Sequence, residues 1–483
     1  MSVRVRFAPS PTGMPHVGVI RTAIFDWLLA RHHHGSFILR IEDTDRNRYV
    51  DGAVENIIGA LKWLGMDIDE GPGIGGNYGP YFQSERLGLY HRYVDYLVEK
   101  KYAYWCDCTP ERLDKIRKKQ EAAKIDIRYD NHCRNRELKG KPGDGIHVLR
   151  FAIPKSGSTV FHDELRGDIE VENRLLDDFV LIKHDGYPTY HFASVIDDHH
   201  MAISHVFRGE EWISSAPKHK LLYEALDIEP PKFVHVPVIL GPDKKKLSKR
   251  HGAANVLEYK EMGYLPEALF NFLALIGWNP GTEDEIMSRH KLIEHFTVDR
   301  INTSPGVFDM EKLDWMNGDY IRSTPLDTLT DKLRPLMSEW GWINSEFEPF
   351  DRPYVEKVVN LLQERIKTLI DMREKGFYFF EEPTEYDPKA VKKAFKGDDI
   401  IDRLESITDA FLGSEWTHDG IEKAIRSTAK SFDVGAGKII HPVRLAVSGT
   451  NAGPGLFEML QVIGKDRVIE RLQRARNWLL ANR

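Results

Sequence analysis

Apolar and polar residues alternate from Val3 to Ala8, with valines among them, which is the period of two that a half-buried strand requires. Pro9-Ser10-Pro11-Thr12-Gly13 follows and reads as a loop, because proline lacks the ladder donor and glycine frees the backbone. The period then changes. Ile20, Ala23, Ile24, Trp27 and Leu28 recur at helical spacing, and Gly35 is the expected stop. A second strand is expected over 36–41, and Val54, Ile57, Ile58, Leu61 and Leu64 mark the apolar face of a helix ending at Gly65. Strand, loop, helix, strand, helix is the order of a doubly wound parallel sheet.

Glycine and proline thicken between Gly71 and Pro80, so a long loop is expected there. The charged stretch from Tyr102 to about Asp144 reads as helical, and an insertion into the first domain is expected at about 74–180. Strand-like runs at 178–183 and 233–240 predict that the sheet resumes after it. Beyond Tyr320 the pattern is that of amphipathic helices, with Val355, Val358, Val359, Leu362, Ile366 and Leu369 along one face. The expected divisions are 1–240, 241–320 and a helical region over 321–483.

A chain of 483 residues is too long for one ordinary core, in keeping with these divisions. Lys and Arg number 67 against 74 Asp and Glu, so the net charge of −7 gives no global sign of nucleic-acid binding, and any such surface must be local. No apolar run reaches the roughly 18 residues that would span a bilayer. The N-terminus has no apolar run behind its basic residues, so no secretory peptide is expected and the cytoplasm is the expected compartment. Three cysteines are too few and odd in number for a disulfide framework, which leaves reduced thiols or metal ligation.

Two short constellations carry candidate chemistry. Pro15-His16-Val17-Gly18 stands where the first loop meets the first helix, whose free N–H groups and positive dipole end suit a phosphate. Lys246-Leu247-Ser248-Lys249-Arg250 is flanked by Gly241 and Gly252, so it could be a mobile loop whose lysines neutralise charge building on a phosphate. Alone, each also reads as a bland feature: His16 as a helix cap, the lysine run as a solvated turn. His32-His33-His34 and His199-His200 read better as helix-end residues than as metal ligands, since consecutive helical side chains point in different directions.

In this order the two constellations resemble the nucleotide-binding motifs of class I aminoacyl-tRNA synthetases. The wider strings RFAPSPTGMPHVG, RIEDTDR, DGYPTYHFASVIDDH, FRGEEW and LSKRHG are similar to those of the glutamyl members, over essentially the whole chain. The resemblance implies a Rossmann-type parallel sheet with an inserted acceptor-end domain, then an all-α anticodon-binding region. It implies that ATP and magnesium activate L-glutamate for transfer to tRNA(Glu), with tRNA bound during activation, in a cytoplasmic monomer with no membrane partner. Residues 241–320 are then the mobile-loop and stem-contact region.

The implied ATP positions are His16, Gly18, Lys246, Ser248 and Lys249, with the backbone of Val238 and Ile239 beside adenine; His16, Gly18, Lys246 and Lys249 take the catalytic role. Arg6, Ala8, Ser10, Glu42, Tyr190, Ser194, Arg208 and Trp212 match glutamate-binding positions, and Ser194 stands where the family often has Asn. Arg208 is the expected partner of the side-chain carboxylate, because a fixed guanidinium rejects an uncharged amide; an ordinary ion pair with Glu210 or Glu211 is the plain alternative. Cys106, Cys108, Cys133 and Tyr129 resemble the zinc ligands of several bacterial glutamyl enzymes, with one ion per chain, and His132 is an alternative fourth ligand. Arg365, Arg444, Pro454 and Leu456 match anticodon-contacting positions, and an arginine at 365 implies discrimination against tRNA(Gln).

Among rivals, a glutaminyl enzyme usually carries a β-barrel where this chain is helical, and a shortened tRNA-modifying relative lacks the C-terminal region altogether. A metabolic nucleotidyltransferase would not need that region, and a non-catalytic RNA-binding paralogue would be expected to lose Lys246 and Lys249.

Overall fold

The computed structural model describes residues 2–247 and 255–482. Two units are distinguished, one of residues to Glu261 with Pro266–Leu313, the other of Met262–Leu265 with the chain from Asp314 onward.

In the first unit the strands are β1 (Arg4–Phe7), β2 (Ser36–Leu39), β3 (Ala103–Cys106), β4 (Val148–Phe151), β5 (Ser158–Asp163), β6 (Gly167–Glu172), β7 (Val180–Ile182), β8 (His205–Gly209), β9 (Lys232–Val236), β10 (Ile239–Leu240) and β11 (Gly306–Val307). Six of them form one sheet in the order β2-β1-β8-β9-β5-β6. It is parallel except for the β5–β6 hairpin. The expected doubly wound arrangement is therefore present, with β1 and β8 adjacent within it. Ligands of such sheets bind outside the carboxyl ends of the strands, which is where Phe7 and Arg208 stand.

The first helix, Val17–His32, buries Ile20, Ala23, Ile24, Trp27 and Leu28 as the spacing predicts. Its last helical residue is His32, and the expected stop at Gly35 closes the end, with its N–H on the Ala30 oxygen at 2.7 Å; a Cβ there would also lie 2.1 Å from the Val3 carbonyl oxygen. Only glycine lets the chain turn this tightly beside β1.

The charged stretch after Tyr102 is less helical than its composition suggests. It holds one helix, Pro110–Ala122, started by Thr109 as N-cap, and much irregular chain after it. The run at 178–183 does not resume the main sheet. Its strand β7 pairs antiparallel with β4, and β4 with β3, as a separate three-stranded sheet. Three apolar residues specify a strand but not its neighbour. The main sheet is extended instead by β5, whose alternation leaves Thr159, Phe161 and Asp163 buried.

The second unit is built of helices joined by turns and loops, with no strand among its described residues. Helix Arg352–Leu362 buries Val355, Val358, Val359 and Leu362, but it ends there, and Gln363–Arg365 is a single 3-10 turn. Ile366 and Leu369 are buried beyond that break rather than on the same helix face. Arg471, almost fully buried, donates to the Tyr378 and Val447 carbonyl oxygens, both at 2.8 Å, and pairs with Glu382 at 2.8 Å. It thereby joins helix Asp371–Phe380 to helix Gly437–Ser448.

Candidate active site

A cleft of about 710 Å³ opens at the ends of β1 and β8. His16 caps helix Val17–His32: its Nδ1 accepts from the Gly18 N–H at 3.0 Å. The ring proton of neutral His16 is then on Nε2, a donor at a helix N-terminus. Gly18 keeps room for that ring, since a Cβ would stand 3.3 Å from Nδ1. The capping reading of His16 and its place in the cleft are therefore both correct.

The lysine segment reaches the same cleft. Lys246 bridges to Leu240, Leu247 N–H donates to the Ile239 oxygen at 2.8 Å, and both residues line the cavity. Asn255 pairs with His16. The flanks of 248–254 thus meet the first motif, although Ser248 and Lys249 themselves lie outside the described residues. Val238 and Ile239 also line the cleft, with the Val238 N–H held by Glu210 at 3.0 Å.

Arg6, Ala8, Ser10, Glu42, Tyr190, Arg208 and Trp212 line the cavity as well. Ser194 does not. It is buried in helix Tyr190–His200, and its hydroxyl has no hydrogen-bond partner. The Tyr190 and Trp212 rings lie 4.5 Å apart by centroids and make a wall.

Arg6 and Arg208 differ sharply in their partners. Arg6 pairs with buried Asp198 at 3.0 Å, and Arg40 meets the same oxygen at 2.7 Å while also pairing with Glu42 at 3.0 Å. Asp198 stays well charged because Arg6 and Arg40 outweigh its burial. Arg208 pairs with no acid among the described residues, so the plain alternative of an ion pair with Glu210 or Glu211 does not hold. Glu210 pairs with Arg166 at 2.9 Å, and Glu211 faces Lys246 at 3.5 Å. Arg208 donates instead to His235, Tyr190 and His219, and its buried Nη2 has no partner.

Sequence reasoning did not single out Asp198, Arg40, His219 or His235. The string DDHH and the arginine of RIEDTDR were visible, but only the fold brings them beside Arg6 and Arg208. Asp26, also on the cleft, is pushed well above the carboxylate range by burial.

Cys106 ends β3, Cys108 precedes the helix at Pro110, and Cys133 folds back onto both. Cys108 Sγ lies 3.5 Å from Cys133 Sγ, and the Tyr129 oxygen lies 3.4 Å from Cys106 Sγ and 3.6 Å from Cys108 Sγ. A tetrahedron of thiolates about 2.3 Å from its centre has edges of about 3.8 Å, so this donor set fits zinc. His132 is not part of this group of ligand atoms. Arg112 and Arg136 point at Cys108 and Cys133 from 3.4 and 3.5 Å.

In the helical unit, Arg444 Nη1 and the Tyr378 hydroxyl both approach Gly453, where a Cβ would meet each at 3.0 Å. Tyr378 is buried and its hydroxyl has no partner. Arg365 is exposed and forms no ion pair with Glu364 or any other described acid; its charge is felt at both Tyr378 and Arg444. Pro454 and Leu456 are buried just beyond Gly453.

Residues 2–315 match the catalytic domain of class I tRNA synthetases (E and Q), and residues 328–476 match an anticodon binding domain. The chain is 46% identical to a glutamate–tRNA ligase of Dehalococcoides mccartyi, over 98% of this chain and 97% of that one. It is 43% identical to that of Moorella thermoacetica, over 99% of each. A crystal structure of a glutamate tRNA ligase from Elizabethkingia meningosepticum, in complex with its amino acid, superposes with a TM-score of 0.90 at 37% identity and covers 99% of both chains. No described helix is long and apolar enough to cross a membrane.

Proposed function

This chain belongs to the glutamate–tRNA ligases, class I enzymes with an E/Q catalytic domain and an anticodon-binding domain, and we propose how its residues divide that work. The α-carboxylate of glutamate attacks the α-phosphorus of ATP, pyrophosphate leaves, and a terminal hydroxyl of the tRNA then displaces AMP. No protein nucleophile is needed, so catalysis is alignment and charge stabilisation.

Arg208 holds the glutamate side-chain carboxylate, and the observation that carries this reading is its buried, unpartnered Nη2 on the cleft. Arg6 and Glu42, tied together through Arg40 and Asp198, orient the α-carboxylate and α-amine, while Tyr190 and Trp212 close one wall. Ser194, buried on the helix that Tyr190 begins, does not line the cleft and takes no direct part in this reading. His16, Gly18, Lys246, Ser248 and Lys249 bind the ATP phosphates, and adenine lies against the backbone at Val238 and Ile239. Magnesium on those phosphates would supply further charge neutralisation.

Cys106, Cys108, Cys133 and Tyr129 would hold one structural zinc ion, which the spacing of their donor atoms supports. Residues 241–320 contact the tRNA stem. Arg365, Arg444, Pro454 and Leu456 read the anticodon, with Arg365 favouring tRNA(Glu) over tRNA(Gln); the two converging cations and the unpartnered Tyr378 hydroxyl support this. All these groups belong to one chain, and the reading takes the enzyme as a cytoplasmic monomer.

Glutamate-dependent exchange of pyrophosphate into ATP, measured with and without tRNA(Glu), tests the catalytic assignment. Exchange that needs tRNA and collapses in Arg208→Gln supports it; unchanged exchange by that variant ends it.

A further inference from the structure

The Arg208 guanidinium is held by two histidines, and the geometry fixes the protonation of both. Asp163 and His235 are fully buried, and His235 Nδ1 lies 2.7 Å from Asp163 Oδ2, which also accepts the His235 backbone N–H at 3.0 Å. Nδ1 therefore carries the proton, and the lone pair of Nε2 accepts from Arg208 Nε at 2.9 Å. The contact is built into the sheet, because Arg208 and His235 are register partners on the parallel strands β8 and β9.

A guanidinium can only donate, so His219 Nδ1, 3.3 Å from Arg208 Nη1, is an acceptor too. The proton of His219 is then on Nε2, directed at His191 Nδ1 at 3.0 Å. Burial and the neighbouring Arg208 keep His219 well below the usual histidine range, and burial lowers His235. Both rings are neutral acceptors.

Among the described residues no acid pairs with this cation directly, and those around it have other partners. Asp163 stands one imidazole away and faces Arg166 at 3.9 Å; Glu210 is taken by Arg166 and Asp198 by Arg6 and Arg40. We propose that His219 and His235 are positioning residues for specificity: they orient Arg208 without neutralising it, and the uncompensated charge selects a side-chain carboxylate over the amide of glutamine. An acid in either position would orient the guanidinium equally well but would satisfy its charge before substrate arrived. In a site sheltered from water a compensated arginine offers both ligands only hydrogen bonds, whereas an uncompensated one adds attraction for the anion alone.

The inference rests on Arg208 as the carboxylate partner, so the test separates the two. Steady-state charging of tRNA(Glu) is measured with glutamate and with glutamine for Arg208→Gln, His219→Gln and His219→Glu, the last two differing in charge at similar size. Arg208→Gln should abolish the preference for glutamate. His219→Gln should keep the preference to within about tenfold, while His219→Glu should raise KM for glutamate about a hundredfold, move kcat less, and narrow the preference at least tenfold.

A His219→Glu enzyme that folds and keeps the wild-type preference overturns the inference while leaving the role of Arg208 intact. An unchanged Arg208→Gln removes both. Should His219→Glu fail to fold, the unmodified enzyme decides: butyrate should compete with glutamate where equal butyramide does not, and equal inhibition by the two would overturn the inference.

Discussion

Lys246 Nζ stands 3.5 Å from Glu211 Oε1, and both side chains line the cleft that His16 caps. The pairing holds Lys246 beside the cleft at an exposed position, where such an ion pair is weak and easily exchanged for another anion. Lys249, three residues on, is the lysine proposed to meet the phosphates as charge develops. Lys249→Ala is expected to lower the rate of glutamate activation by roughly tenfold to a thousandfold, the scale of one lost transition-state donor, with a smaller effect on tRNA affinity. Single-turnover adenylate formation measures it, and an unchanged rate would remove Lys249 from the mechanism.

Gly18→Ala tests the first motif from the other side. The new methyl would stand 3.3 Å from His16 Nδ1, so the ring must shift by a few tenths of an ångström and its cap on the Gly18 N–H must loosen. The expected result is about a tenfold loss in kcat/KM for ATP, with stability changed by about 1 kcal/mol or less, because a helix-entry alanine is otherwise well tolerated. Pyrophosphate exchange at varied ATP, alongside thermal melting, separates the two effects.

The thiol cluster should bind one zinc per chain. Elemental analysis of protein purified without chelator is expected to give a ratio near one, and stripping the metal should increase hydrogen exchange in β3, β4 and helix Pro110–Ala122, because a structural zinc ion contributes folding energy locally. Negligible metal with three freely titratable thiols would show that the cysteines are merely neighbours.

Arg365→Gln addresses the anticodon. An exposed guanidinium paired with no acid among the described residues, near half-buried Arg444, is available for a base edge. The substitution should narrow the preference for tRNA(Glu) by about 1–2 kcal/mol, the size of one polar readout contact, and leave KM for glutamate unchanged. A preference that does not move would place discrimination elsewhere.

How legible this protein was in its sequence depended on the range of the interaction. Helix Val17–His32 and strand β1 follow from local periodicity, and the chain's motifs located most of the cleft lining. Periodicity could not say that Val180–Ile182 would pair with β4 rather than rejoin the main sheet, nor that Ser158–Asp163 would join it, since two of its three buried positions are Thr159 and Asp163. The break after Leu362 was hidden because Ile366 and Leu369 are buried for reasons of their own. The chain Asp163–His235–Arg208 spans strands that are distant in sequence, and no local pattern announces a hydrogen bond across 72 residues.

The account stands on a ligase that puts glutamate on one tRNA in preference to another. Initial rates of glutamate attachment to purified tRNA(Glu) and tRNA(Gln) measure this directly. The predicted result is efficient, ATP-dependent charging of tRNA(Glu), with kcat/KM at least about tenfold above that for tRNA(Gln), as one well-placed polar contact allows. Equal charging of the two tRNAs would contradict the discrimination assigned to Arg365, and failure to charge tRNA(Glu) would contradict the account at its root.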